Sequence, residues 1–140
     1  IIHLGINDVL SISDSTTLET ALATFDININ NIITKLKDSN TGIKIFLATI
    51  IPCYAYSGRA EYATFNEKIR EIANSTDDVY LIDLTEHSVL VYGSPYTNKH
   101  LTSIGYHKMA SEISAYISYI ISKNLEDFKW VQFIGTSYTP

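Results

Sequence analysis

The order of apolar patterns along the chain predicts an α/β domain, a parallel sheet with helices on its faces. Short β-branched runs alternate with longer stretches in which apolar residues recur every three or four positions. Consecutive strands joined through helices pair in parallel by right-handed crossovers. In such sheets ligands bind beyond the carboxyl ends of the strands. Two motifs of this chain, Gly5-Ile6-Asn7-Asp8 and His100-Leu101-Thr102-Ser103-Ile104-Gly105-Tyr106, fall at such ends.

Ile1 to Leu4 reads as the first strand, closing in Gly5-Ile6-Asn7-Asp8. Thr16-Thr17-Leu18-Glu19 fits a capping box, Thr16 accepting from the main chain and Glu19 reaching back. Leu18, Leu22, Phe25, Ile29, Ile32, Ile33 and Leu36 then form one helical stripe, which Asp38-Ser39-Asn40-Thr41-Gly42 ends with turn chemistry. Ile43 to Ile51 is apolar on both faces, as a central parallel strand should be, and Pro52 stops it. After a loop rich in Tyr and Gly, a second helix is marked by Tyr62, Phe65, Ile69 and Ile72, and Val79 to Ile82 forms a third strand ending at Asp83. A loop through Gly93 and Pro95 leads to a third long helix from about Ser103 to Ser122, with Met109, Ile113, Tyr116, Ile117, Ile120 and Ile121 on its buried face. Residues 125–140 read as an extended tail in which Phe128 to Gly135 alternates apolar and polar residues.

Composition narrows the function classes. At 140 residues the chain is at most one domain, and its 46% hydrophobic and 18% charged content is ample for a packed core. A net charge of −5 without a basic cluster argues against nucleic acid as the main partner. The apolar runs are too short to span a bilayer. Cys53, the single cysteine, excludes an internal disulfide and a cysteine-rich metal site, and beside Pro52 it reads as a small core or loop residue. His3 and His107 read as structural, and with His87 they show no spacing suited to a metal. Because Ile1 already reads as the inside of a strand, the chain is expected to be part of a longer domain.

Asn7 and His100 are the candidates for chemistry. A developing oxyanion needs neutral, preorganised donors, and an amide just past a strand supplies one; Asn7-Asp8 fits equally a turn that caps the next segment. His100 precedes a helix start, and histidine is the side chain whose ordinary pKa suits proton shuttling near neutrality. Tyr54, Tyr56, Tyr92 and Tyr96 lie near the expected cleft, where they would either stack on a sugar or cover the rim of the core.

Together these motifs resemble the SGNH, or GDSL-type, esterase superfamily. Gly5-Ile6-Asn7-Asp8 is similar to its third sequence block, and His100-Leu101 with Gly105-Tyr106 to the end of its fifth. The apolar strand closing in Pro52, the helix bearing Phe65-Asn66 and the run Leu81-Ile82-Asp83-Leu84 fall between them in the family's order. The stretch Phe128 to Ser137 looks like the C-terminus of some bacterial and phage-associated members. The resemblance implies a three-layer flavodoxin-like fold with strand order 2-1-3-4-5, of which residues 1–140 would supply the last three strands. It implies Asn7 as oxyanion-hole donor, His100 as general base, ester substrates such as O-acylated carbohydrates, and no metal or organic cofactor.

Two positions depart from the family. Its Gly-Asp-Ser nucleophile block lies upstream of Gly-x-Asn-Asp; Ser13-Asp14-Ser15 lies downstream of Asn7 and reads as preparation for the helix cap. The nucleophile is therefore expected in a preceding part of the same domain. The family's Asp three residues before the His, which orients the imidazole, is replaced by Thr97, which adds no negative charge. Asp83 and Glu86 are other carboxylates that could serve, although Asp83 is better explained by main-chain groups at its strand end. Thr97 also motivates a second reading, a non-catalytic module that keeps the fold to bind a glycan or a protein. If its first strand lacks a neighbour, the isolated segment should be unstable or associate through that open edge.

Overall fold

The structure, a computed structural model, describes residues 1–51, 59–85, the main chain of 96–97, and 100–129. The expectations for Pro52, Cys53, Tyr54, Tyr56, Glu86, His87, Tyr92, Gly93, Pro95, the tail from Trp130 onward, and the side chains of Tyr96 and Thr97 lie outside these residues. The described chain is mixed α/β and mostly helical, with a small parallel sheet. Its elements are α1 (Ile6–Leu10), α2 (Ser15–Ser39), β1 (Ile45–Ala48), α3 (Glu61–Ser75), β2 (Val79–Ile82), β3 (Tyr96–Thr97), β4 (His100–Leu101) and α4 (Ser103–Lys123). Among the described residues no helix is long and apolar enough to cross a membrane.

β1 and β2 pair in parallel from Ile45↔Val79 to Ala48↔Ile82. The expected first strand is reduced to one parallel bridge, Ile2↔Leu47, on the other side of β1. Ile2 donates to the Phe46 carbonyl at 2.8 Å and accepts from Ala48 N–H at 2.9 Å. Ile1 and Leu4 stay open to solvent, at 68% and 52% exposure, so the pairing does not spread beyond Ile2. β1 is thus central, flanked by β2 and by the Ile2 segment.

Strand side chains point to alternate faces, and the packing follows that period of two. Ile45, Leu47 and Val79 bury against Phe25, Ile29 and Ile33 of α2 and Phe65, Ile69 and Ile72 of α3. Phe25 and Phe65 meet with ring centroids 5.1 Å apart. Ala48 and Ile82, with Phe46 and Tyr80, face α4 through Met109, Ile113, Ile117, Ile120 and Ile121. Phe128 closes this second cluster, its ring centroid 5.9 Å from that of Phe46 and 5.0 Å from that of Tyr80. All six residues of the expected apolar face of α4 belong to this cluster, although only Ile120 among them is fully buried.

The structure corrects two boundaries. The α2 cap is Asp14, not Thr16: the Asp14 carboxylate accepts from Thr17 N–H at 2.8 Å and from the Thr17 hydroxyl at 2.9 Å. A carboxylate at the positive end of a helix is a stronger acceptor than a neutral hydroxyl. β1 covers Ile45–Ala48 rather than Ile43 to Ile51. At its start Ile43 N–H turns back to the Asn40 carbonyl at 3.1 Å. At its end the side chain of Asn66 takes over from the ladder, accepting from Ile50 N–H at 2.7 Å and donating to the Ile50 carbonyl at 3.0 Å.

Candidate functional site

At the carboxyl end of the Ile2 segment the chain turns through Gly5, whose φ of 113° is in the left-handed region. A Cβ there would stand 2.5 Å from Ile50 Cδ1 and 2.9 Å from Phe25 Cε2, so glycine is required both by conformation and by space. Gly5 caps α1, and Asn7 therefore sits in a five-residue helix instead of a turn. Asn7 is exposed. Its main-chain carbonyl accepts from Ser11 N–H at 3.1 Å. Among the described residues its side-chain amide has no hydrogen-bond partner. It lines an open groove of about 480 Å³ floored by Phe25, Ile29 and Ile32 and rimmed by His3, Asp8 and Asn31. The groove runs beside the Ile2 segment along α2. Desolvation pushes the His3 imidazole below its ordinary pKa, opposed by a hydrogen bond with the Thr49 main chain, although the residue keeps solvent access.

His100 lies in β4, which pairs antiparallel with β3 so that Thr97 stands opposite His100. Leu101 and Thr102 fasten this hairpin to α4. The Thr102 hydroxyl accepts from Gly105 N–H at 3.3 Å, and Gly105 is bare because a Cβ there would meet Leu101 Cβ at 3.0 Å. The direction of α4 follows from its two ends. Tyr116 reaches the Asp83 carbonyl, just past the carboxyl end of β2, whereas Phe128, beyond the helix, stacks near the strands' amino ends. Hence α4 runs against the strands, and its first turn points to the end of the sheet from which Asn7 also emerges. Asn7 arrives there on the face of α2 and α3, His100 on the face of α4.

Asp83 is fully committed at that same end. Its carboxylate accepts from Arg70 Nε at 2.7 Å, from the Thr85 hydroxyl at 2.6 Å, from Thr85 N–H at 3.0 Å and from the Thr49 hydroxyl at 3.2 Å. Thr49 in turn accepts from Leu84 N–H at 2.8 Å, and Arg70 Nη2 donates to Thr85 Oγ1 at 2.8 Å. Burial alone would raise the Asp83 pKa; the Arg70 guanidinium and the Thr85 donors outweigh it and hold the carboxyl below its ordinary value. Of the main-chain groups expected at its strand end it meets Thr85 N–H; the other three donors are side chains, and the carboxylate's acceptor sites are taken. Sequence reasoning missed Arg70, Thr49 and the Asn66 clasp. Thr49 carried a signal, a hydroxyl inside the otherwise apolar run Ile45 to Ile51. Among the described residues no group of three His, Cys, Asp or Glu side chains could hold a metal ion.

No protein-family model, curated protein or solved structure gives a significant match to this chain.

Proposed function

We propose that this chain is the C-terminal portion of an SGNH-type serine esterase with a three-layer flavodoxin-like fold, acting on O-acyl esters of carbohydrates. One observation carries the reading: the Asn7 amide, uncommitted among the described residues, stands past the carboxyl end of the Ile2 segment, the end of the sheet to which the first turn of α4, directly after the His100 strand, also points. Asn66, by contrast, spends its amide wholly on Ile50. An exposed amide held on a short helix behind a required glycine is suited to meet charge that appears only during reaction.

In this mechanism His100 takes the proton of a serine hydroxyl contributed from outside these residues. The serine oxygen bonds to the acyl carbon, and the carbonyl oxygen, now an anion, accepts a hydrogen bond from the Asn7 amide. His100 then gives its proton to the departing alcohol as the ester C–O bond breaks. Water, deprotonated by the same imidazole, releases the acid in a second step. By the resemblance, Thr97, whose main chain pairs with that of His100, stands at the sequence position of the orienting carboxylate.

The test is hydrolysis of an aryl acetate by the protein that carries this segment. Acetate release should fall to background in His100→Ala. Undiminished release in that variant refutes the assignment.

A further inference from the structure

We infer that Tyr116 is a positioning residue for His100, its hydroxyl fixing the angle at which α4 presents the His-bearing hairpin. The inference rests on the esterase reading only for its kinetic consequence. The hydroxyl donates to the Asp83 main-chain carbonyl at 2.8 Å. Asp83 is a rigid post, since its carboxylate is tied to α3 through Arg70, to the end of β1 through Thr49 and to the chain beyond β2 through Thr85.

Among the described residues, the other α4 side chains that pack on the sheet are apolar and mostly half-buried. Of its residues only Gly105 and Ile120 are fully buried, while Met109, Ile113 and Ile117 pack partly exposed. Apolar contacts resist separation but not small rotations, because they carry no preferred direction. A hydrogen bond does have one. At the other end of the lever, Thr102 and the bare Gly105 couple Leu101, and with it His100, to the first turn of α4. Ser103 and Tyr116 are separated along the helix by about 20 Å at 1.5 Å per residue. A tilt of about 3° at Tyr116 thus displaces the first turn by about 1 Å, a misplacement that costs catalysis on the order of a hundredfold.

Tyr116→Phe removes the hydroxyl and keeps the ring. We expect kcat for aryl acetate hydrolysis to fall on the order of ten- to a hundredfold, the upper figure for the full displacement of about 1 Å, with KM within about twofold of the parent, because orientation of the base is lost while substrate binding is not. A second readout needs no activity: the side-chain ¹⁵N resonances of His100 should shift in Tyr116→Phe and stay in place in Ser118→Ala, an exposed control on the same helix. Unchanged kcat together with unmoved His100 resonances overturns the inference, even where His100→Ala is inactive and the esterase reading stands. Equal shifts in the Ser118→Ala control overturn it too. If the parent hydrolyses nothing while Tyr116→Phe alone moves the His100 resonances, the positioning link holds and the esterase reading fails.

Discussion

Asn66→Ala isolates the tie that ends β1. Asn66 is 3% exposed and Ile50 is 1% exposed, and the amide answers both main-chain groups of Ile50, at 2.7 Å and 3.0 Å. Alanine leaves a buried N–H and a buried carbonyl without these partners. Each such group costs about 1–3 kcal/mol, so the variant should lose about 2–6 kcal/mol. That is a large share of the roughly 5–15 kcal/mol that holds a domain together. Asn30 supplies the control. Its amide also makes two bonds, to the Asp26 carbonyl at 2.9 Å and carboxylate at 2.8 Å, but on an exposed helix face where water replaces them. Asn30→Ala should therefore stay within about 0.5 kcal/mol of the parent. Urea denaturation of the three proteins, at constant m-value, measures the difference. An Asn66→Ala loss no larger than that of Asn30→Ala would refute the reasoning, because Ile50 would then find other partners.

Two further outcomes concern pH. The Asp83 carboxyl is depressed in the fold, so its stabilisation is complete above the unfolded carboxyl's pKa and is lost as pH falls through the folded value. Asp83→Asn should start about 1–3 kcal/mol less stable at neutral pH and then lose less than the parent on acidification; parallel losses in thermal melts would contradict this. Tyr80 donates to Asp127 at 2.9 Å, and burial together with that carboxylate pushes its phenol from 10.0 up to about 12. A raised acid favours the neutral form in the fold, so its contribution is full below pH 10.0 and fades as pH rises toward about 12. Phenolate absorbance should show a late-ionising component that Tyr80→Phe removes, and its persistence in that variant would reassign it.

The long elements were legible because burial alone sets their pattern. The three- and four-residue spacing of Tyr62, Phe65, Ile69 and Ile72 found α3, and the apolar run Val79 to Ile82 matched β2 at both ends. What escaped was decided by partners distant in sequence. The run Ile43 to Ile51 is apolar but for Lys44 and Thr49, and Asn66 and Thr49 take hydrogen bonds that a longer strand would have made. α1 escaped because five residues are too few for a periodic stripe and because Gly5 turns under the packing of Ile50 and Phe25. The β3–β4 hairpin is two residues on a side, below any alternation signal. For the candidate site, the sequence located Asn7 and His100 on their segments but not how each is held: Gly5 behind one, Gly105 and Thr102 behind the other. From sequence Asp83 stands as one possible orienting carboxylate for His100; only the contact with Arg70, thirteen positions earlier, shows where its charge is spent.

Convergence of Asn7 and His100 on one reacting ester is the central claim. A crystal structure of the protein that carries this segment, inactivated with an aryl alkylphosphonate, measures it directly. The expected result is the Asn7 side-chain nitrogen about 3 Å from the phosphonyl oxygen and the His100 imidazole within hydrogen-bond reach of the modified serine oxygen. A phosphonate bound to a serine remote from both residues, or one whose oxygens meet only one of the two side chains, would contradict it.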